Sequence, residues 1–285
     1  MKKTGKWVLL VLLIVCAAGF TAYYFLSHRG LDTAAPTISF EQEEMALSVH
    51  DGQAALLRGV TATDDTDGDV TDSLVVEGVS SIRPDHTATV TYAAFDRAGH
   101  VTKAQRTIRY TDYHRPTFAL SAPLLFRSGA SVDIYQYLTA LDLVDGDVSD
   151  KIKATLVGGE GNISQDGVHP VEVRVTNSMG DTARITLPVE VYPNGVYNAT
   201  LELTEYLVYV EKGASFSTRD YLSTLLAGSG TYDLTKGLPQ GAALDVDSDV
   251  VTGSAGCYSV TYTLTYGSYK AYTRLIVIVE DPEHA

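Results

Sequence analysis

The sequence predicts an all-β protein in which tandem immunoglobulin-like β-sandwiches follow one N-terminal transmembrane helix. Three observations lead to this fold class: a composition rich in Gly, Thr, Val and Tyr, an uncharged apolar run near the N-terminus, and an internal repeat. The chain has 285 residues, which at roughly 100–200 residues per domain suggests two or three domains. Because β-branched and aromatic residues favour strands, the composition favours an all-β body.

The N-terminal segment begins with a short basic stub and continues as an apolar run. Residues 1–6 contain three lysines, and residues 7–26 contain no charged side chain. About 20 such residues in a helix cross the ~30 Å core of a bilayer. The lysines should stay in the cytoplasm, which places the chain after residue 29 outside. We therefore expect residues 1–29 to be a stub and signal anchor, and the body to be extracellular at the cell surface.

Two other interpretations of this segment stay open. A cleaved signal peptide would have its apolar core at residues 8–15 and its cleavage site within residues 17–22, where small side chains lie. A lipoprotein would carry its lipid on Cys16, although Val15 is bulky for the position before a lipidated cysteine. All three interpretations place the body on the outer side of the membrane.

Charge and cysteine content limit the partners of the body. Residues 30–285 hold 17 Lys and Arg against 35 Asp and Glu, a net charge of −18. A body this acidic is repelled by nucleic acid, so no nucleic-acid partner is expected. The two cysteines are Cys16 in the apolar run and Cys257, so the body cannot form an internal disulfide. Cys257 lies in an alternating run and is expected to be a buried small hydrophobe.

An internal repeat organises the body. Residues 62–72 recur 78 residues later as residues 140–150, and both copies contain DGDV. Each copy leads into an alternating strand, a turn and a closing strand, which is the pattern of an immunoglobulin-like sandwich. A divergent third unit follows, and its acidic motif is expected at residues 244–250. The predicted domains are residues 35–112, 113–193 and 194–281.

These motifs resemble a bacterial immunoglobulin-like domain family named after a pesticidal crystal protein and related to hyalin-repeat domains. Residues 62–71 and 92–102 follow the family pattern, with His100 in place of the usual Asn. The second unit keeps residues 140–149 but departs from the pattern at residues 176–181, and the third keeps little of it. The resemblance implies a β-sandwich of Gram-positive surface proteins, often in tandem beside adhesive or catalytic partners, with no activity of its own.

The acidic motifs are the candidate metal sites. Calcium takes about six to eight oxygen ligands, often from closely spaced aspartates. The other interpretation is turn chemistry, because Asp and Gly favour turns and Asp accepts hydrogen bonds from neighbouring backbone amides. Neither motif has the EF-hand pattern. The candidate calcium ligands are Asp64, Asp67, Asp69 and Asp72 in the first unit, and Asp142, Asp145, Asp147 and Asp150 in the second.

Tyrosines crowd the third unit and form a second candidate site. Tyrosine fills sandwich cores, but an exposed tyrosine also contacts sugar rings and proteins well. Tyr266 and Tyr269 flank the turn of the last hairpin, and we expect them to be the exposed ligand contacts.

No catalytic motif stands out in the sequence. The seven histidines lack metal-ligand spacing, and neither a GxSxG, a CxxC nor a phosphate-binding glycine loop occurs. We expect a non-catalytic, membrane-anchored adhesion or spacer protein with a protein or glycan partner, and no cofactor other than calcium. The alternative is a carbohydrate-binding accessory module of the cell envelope. A third hypothesis, an enzyme, would use paired carboxylates such as Asp245 and Asp249.

Overall fold

The computed structural model describes residues 4–28, 32–158, 163 and 165–281. Within these residues the chain forms one long N-terminal helix followed by 21 strands. The first two lysines of the predicted basic stub lie outside the described residues.

The N-terminal helix, α1, spans Thr4–His28. Residues 11–24, whose side chains are described, are all exposed, and eight of them are large and apolar. No helix among the described residues is both long and apolar enough to span a membrane. A helix therefore exists at the predicted place, and its crossing of a membrane stays a prediction.

The strands form three consecutive sets of seven. The first set is β1 (Thr37–Phe40), β2 (Glu44–Leu47), β3 (Val60–Asp64), β4 (Gly68–Asp69), β5 (Val75–Val79), β6 (Thr87–Phe95) and β7 (Val101–Tyr110), with a short helix α2 (Gln53–Leu56). The second set is β8 (Thr117–Leu120), β9 (Leu125–Arg127), β10 (Leu138–Asp142), β11 (Gly146–Asp147), β12 (Lys153–Leu156), β13 (Gly167–Thr176) and β14 (Thr182–Tyr192). The third set is β15 (Thr200–Leu203), β16 (Leu207–Glu211), β17 (Leu222–Ala227), β18 (Gly230–Asp233), β19 (Ala242–Ser248), β20 (Gly256–Tyr266) and β21 (Tyr269–Glu280).

All three sets have the same topology. Each contains a three-stranded sheet, ordered β1-β3-β4, β8-β10-β11 or β15-β17-β18. Each also contains a four-stranded sheet, ordered β2-β7-β6-β5, β9-β14-β13-β12 or β16-β21-β20-β19. The predicted all-β class and its sandwich-like sheets are confirmed, and the third unit follows the same plan although its sequence has diverged.

By compactness the described chain divides into two parts, called compact units to distinguish them from the three repeat units. The first comprises Met1–Met45, Gly52–Val79 and Thr89–Thr107, and the second comprises Ala46–Asp51, Ser80–Ala88 and Ile108–Ala285. The second and third strand sets thus belong to one compact unit. The domain boundaries at residues 113 and 194 stay predictions.

Strict alternation builds the core of the second strand set. Val171, Val173 and Val175 of β13 are buried, whereas the intervening Glu172 and Arg174 are not. Branched side chains pack well on a pleated surface, which explains why a valine-rich run forms this central strand.

The apolar core of the second set continues into the third set. Leu207, Ile276 and Ile278 belong to the same buried cluster as the valines of β13. Polar contacts reinforce this packing, because the Tyr209 hydroxyl lies 2.7 Å from the backbone amide of Phe118 and accepts its hydrogen bond. The core of the second sandwich therefore extends onto the third sandwich, which also has a core of its own.

The last hairpin has the alternation expected of its strands, and it corrects the prediction for Cys257. Val260, Tyr262 and Leu264 of β20 are fully buried. Cys257 is exposed, and its thiol donates a hydrogen bond to the Thr186 carbonyl at 3.3 Å. The predicted burial of Cys257 is wrong because alternation from the three core residues turns odd-numbered positions of this strand away from the core.

Candidate functional site

The acidic motif of the first unit forms the hairpin between β3 and β4. Asp64 ends β3, and its Oδ1 accepts hydrogen bonds from the backbone N–H groups of Thr66 and Asp67, both at 2.8 Å. Gly68 has φ of +77°, which a glycine adopts without strain. The turn interpretation of this motif therefore holds for one oxygen of Asp64.

The second aspartate of each DGDV stretch stabilises the turn that follows it. Asp69 Oδ1 accepts a hydrogen bond from the Thr71 amide at 2.9 Å, and Asp147 Oδ1 accepts one from the Ser149 amide at 3.0 Å. Hydrogen bonds from the Thr71 side chain and amide lower the pKa of Asp69, and those from Ser149 lower the pKa of Asp147. Both aspartates thus have a local structural role.

The third unit has the same contact, at a place that sequence analysis missed. Asp233 Oδ1 accepts a hydrogen bond from the Thr235 amide at 3.0 Å, and Asp233 ends β18, the counterpart of β4 and β11. Residues 244–250 lie on or just after β19 instead, where Asp245 pairs with Thr263 of β20. The prediction for residues 244–250 is wrong because alternating aspartates on an exposed strand imitate the motif.

A cluster of acidic side chains from three segments lies at one end of the first sandwich. Asp32 comes from the segment between α1 and β1, Asp64 and Asp67 come from the β3–β4 hairpin, and Asp96 and His100 come from the β6–β7 turn. One ligand atom from each of Asp32, Asp64 and Asp67 lies within 4.8 Å of the others, and the same holds for Asp32, Asp96 and His100.

Two carboxylate oxygens in this cluster are buried and accept no hydrogen bond from the residues that the structure describes: Oδ2 of Asp32 and Oδ2 of Asp64. Asp64 is only 7% exposed. Buried polar atoms are almost always hydrogen-bonded in proteins, so these two oxygens need an explanation.

The other members of the cluster have protein partners. Asp67 Oδ2 accepts a hydrogen bond from the Arg97 amide at 2.7 Å, which joins the β3–β4 hairpin to the β6–β7 turn. Asp96 accepts hydrogen bonds from the His100 amide and lies 2.7 Å from His100 Nδ1. Burial alone would raise the pKa of Asp96, but the hydrogen bonds from His100 bring it below its usual value. The same side-chain contact raises the pKa of His100.

At the equivalent positions in the second sandwich, neutral groups donate hydrogen bonds to the buried aspartate. Asp142 Oδ1 accepts hydrogen bonds from the backbone amides of the turn, as Asp64 does. Its Oδ2 accepts a hydrogen bond from Asn177 Nδ2 at 3.0 Å. Asn177 also donates to the Tyr113 hydroxyl at 2.8 Å, and Tyr113 in turn donates to Asp181 at 2.9 Å. Every oxygen of the buried Asp142 carboxylate therefore has a partner.

Asp145 of the second motif is also satisfied. Its carboxylate accepts hydrogen bonds from the Ser178 amide and hydroxyl, and Lys151 lies 2.8 Å away. The hydrogen bond from the Lys151 ammonium, followed by that from Ser178, lowers the pKa of Asp145 to about 2.

The structure therefore divides the eight predicted calcium ligands. Asp64 and Asp67 lie together in the first sandwich, where they are joined by Asp32, Asp96 and His100, which sequence analysis missed. Four others are exposed and lie outside the groups that could hold a metal among the described residues: Asp69 and Asp147 at the ends of short strands, and Asp72 and Asp150 in short 3-10 helices. Asp142 and Asp145 take part in hydrogen bonds with their own sandwich.

Tyr266 and Tyr269 are half-buried and pack against the third core, which makes them less exposed than expected. The ring of Tyr266 meets that of Tyr232 edge-on, with centroids 5.0 Å apart. Their role as ligand contacts stays a prediction.

A different group of tyrosines lines an open recess of about 440 Å³ in the second compact unit. The rings of Tyr197 and Tyr272 stack with centroids 5.1 Å apart, and Tyr192 meets Tyr197 edge-on at 5.2 Å. The Tyr272 hydroxyl donates to Glu190 at 3.0 Å. This recess combines aromatic faces with Asn198 and Arg127 on its walls.

Comparison with known proteins shows little similarity. No family model matches the chain. The chain is 25% identical over 181 residues to an uncharacterized 81.3 kDa protein of Acholeplasma phage L2, which covers 61% of the chain and 22% of that protein. The chain therefore spans about a fifth of the length of this relative.

Two solved structures match the chain with low identity. One contains CBM51-2 in complex with GlcNAc and INT domains from Clostridium perfringens ZmpB, with 19% identity, 56% of this chain and 42% of that chain covered, and a TM-score of 0.23. The other is mouse cadherin-23 EC22-24, with 11% identity, coverage of 87% and 99%, and a TM-score of 0.21. TM-scores this low do not show a common arrangement.

The hydrogen-bond network of the second sandwich gives a testable prediction. Tyr113 is 2% exposed. Tyr113→Phe removes the donor to a partly buried Asp181 oxygen and an acceptor of the buried Asn177 amide. We expect the free energy of unfolding to fall by about 1–3 kcal/mol in chemical denaturation. Tyr135→Phe is the matched control, because Tyr135 is 51% exposed. Loss of its hydroxyl should change the free energy of unfolding by about 0.5 kcal/mol or less. Equal effects of the two variants would contradict a structural role for the Tyr113 hydroxyl.

Proposed function

We propose that the chain is a non-catalytic, membrane-anchored protein whose β-sandwiches act outside the cytoplasm as an interaction or spacer module of the cell surface. The observation that carries this proposal is the order of its elements. An apolar helix with exposed side chains, α1, precedes three strand sets of one topology. The sequence resemblance to bacterial immunoglobulin-like surface domains supports the same conclusion.

The packing of the second strand set against the third suits a spacer. The shared core between the second and third strand sets leaves little freedom for hinge motion between them, since separating them would expose Ile276 and Ile278. Arg274 also donates to Glu190 at 2.6 Å, and both side chains are largely buried. A rigid pair of sandwiches can hold a binding surface at a fixed distance from its attachment.

Catalysis is not part of the proposal. Of the carboxylates considered for an enzyme, Asp245 is exposed on β19, and Asp249 Oδ1 accepts a hydrogen bond from the Ser259 amide at 2.6 Å. The proposed role therefore rests on binding and spacing.

The topology can be tested by labelling single cysteines in intact cells. In a background carrying Cys16→Ser and Cys257→Ser, Ser268→Cys places a thiol in the exposed turn of the last hairpin. A membrane-impermeant maleimide should label this thiol in intact cells, and it should label the control Lys6→Cys only after lysis. Labelling of Ser268→Cys only after lysis would place the sandwiches inside and sink the proposal. The mass of the membrane-bound chain then distinguishes an anchor from cleavage within residues 17–22.

A carbohydrate-binding role is the second candidate, and the tyrosine-lined recess favours it. Aromatic faces beside polar side chains are suited to sugar rings, whose apolar faces stack on them while hydroxyl groups meet amide and guanidinium groups. Tyr192, Tyr197 and Arg127 line the recess, whereas the Asn198 amide is already bonded to the backbone of Ser268 and Lys270.

This role can be tested with soluble peptidoglycan fragments by calorimetric titration. If the recess binds them, Tyr197→Ala should weaken binding by about tenfold, or roughly 1.4 kcal/mol. Tyr135→Ala, an exposed tyrosine outside the recess, should leave binding unchanged. Binding that both variants retain, or no binding by the unaltered chain, would remove the recess as a glycan site.

A further inference from the structure

The Asp64 carboxylate is only partly hydrogen-bonded among the described residues. Its Oδ1 is occupied by two backbone amides, whereas its Oδ2 is buried and has no hydrogen-bond partner. An ionised carboxylate withdrawn from water is strongly destabilised unless a donor or a cation compensates it. The fold nevertheless buries more than nine-tenths of this residue.

The neighbouring groups add negative charge instead of removing it. Among the described residues, Asp32 contributes a second buried oxygen without a hydrogen-bond partner. One carboxylate oxygen from each of Asp32, Asp64 and Asp67 lies within 4.8 Å of the others. The guanidinium of Arg97 is 3.5 Å from Asp67, but its side chain is 87% exposed and therefore weakly effective. Three carboxylates from two separate segments thus lie close together, and the positive charge near them is too small to compensate theirs.

The donor set favours calcium. Calcium binds oxygen at about 2.3–2.6 Å with flexible geometry, so oxygens on opposite sides of one ion lie about 5 Å apart. The oxygens of Asp32, Asp64 and Asp67 fall within this span. The histidine of the cluster is engaged elsewhere, because His100 Nδ1 lies 2.7 Å from Asp96 Oδ2. Carboxylate oxygens alone select a hard cation over zinc.

The second sandwich is an internal comparison. Where the first has Asp96 and His100, the second has Asn177 and Asp181, and the Asn177 amide donates to the buried oxygen of Asp142. The same turn with the same buried aspartate is therefore neutralised by protein donors in one sandwich and left open in the other. Such a difference is expected if an ion supplies the missing partner in the first.

We propose that the first sandwich binds one calcium ion through Asp32, Asp64 and Asp67. Asp32 lies four residues after the end of α1. The ion therefore joins the segment that follows the helix to the β3–β4 hairpin, and it stiffens the attachment of the first sandwich. This inference does not rest on the proposed function, since the ion can bind whichever side of the membrane the chain occupies.

The test is calorimetric titration of calcium chloride into the full chain in detergent micelles, after removal of metals with a chelator. The unaltered chain should bind one calcium ion per chain at this site. Asp64→Asn should weaken that binding at least about tenfold, while Asp142→Asn, the same position in the second sandwich, should leave it unchanged. Asn keeps the Oδ1 acceptor, so Asp64→Asn preserves the turn.

Asp32→Asn is the second variant, because it lies outside the strands and cannot unfold the sandwich by disturbing the hairpin. It should weaken calcium binding to a similar degree. Absence of calcium binding, or unchanged affinity in both Asp64→Asn and Asp32→Asn, would overturn the proposal. So would zinc binding that His100→Gln abolishes in a chain that does not bind calcium, because the ion would then use the Asp96 and His100 group.

Discussion

A buried carboxylate must be compensated, and this constraint governs the end of each of the first two sandwiches. The aspartate that closes β3 or β10 directs one oxygen to the amides of its own hairpin, which fixes the turn. The other oxygen is withdrawn from water and needs a second partner. In the second sandwich the Asn177 amide provides it, and the Tyr113 hydroxyl accepts a further hydrogen bond from that amide. In the first sandwich the surrounding residues are mostly further acids. In the third sandwich the position is Ala227, and the constraint is absent.

This difference changes what each sandwich depends on. The second sandwich is held by protein hydrogen bonds and by a core that extends to Ile276 and Ile278 of the third. Its stability should therefore not depend on ions. The first sandwich has an acidic site that includes Asp32, close to the N-terminal helix. A protein built in this way would be rigid across its second and third sandwiches, and calcium would act on its first sandwich, next to the segment that follows α1.

Much of the fold could be predicted from the sequence because strand periodicity and turn residues are local signals. The repeat of residues 62–72 and the alternation around Tyr262 led to the all-β class. The acidic turns were also visible, since Asp and Gly act there through their own backbone.

The remaining features depend on contacts between distant segments. Asp32 follows the helix and has no motif around it, so nothing in the sequence places it beside Asp64. Asp96 falls within residues 92–102, which resemble the family pattern, and His100 is a departure from that pattern. The third motif was assigned to residues 244–250 because its true counterpart keeps only Asp233, which a pattern of several aspartates cannot find.

The most direct test of the account is residue-resolved hydrogen–deuterium exchange of the full chain with calcium and with a chelator. If the first sandwich binds calcium, the ion should slow amide exchange at residues 32–34, 64–67 and 96–100. No change is expected at residues 142–145 and 177–181 in the second, where hydrogen bonds already satisfy Asp142. Equal protection of both sandwiches, or protection of neither, would contradict the claim that only the first relies on a cation.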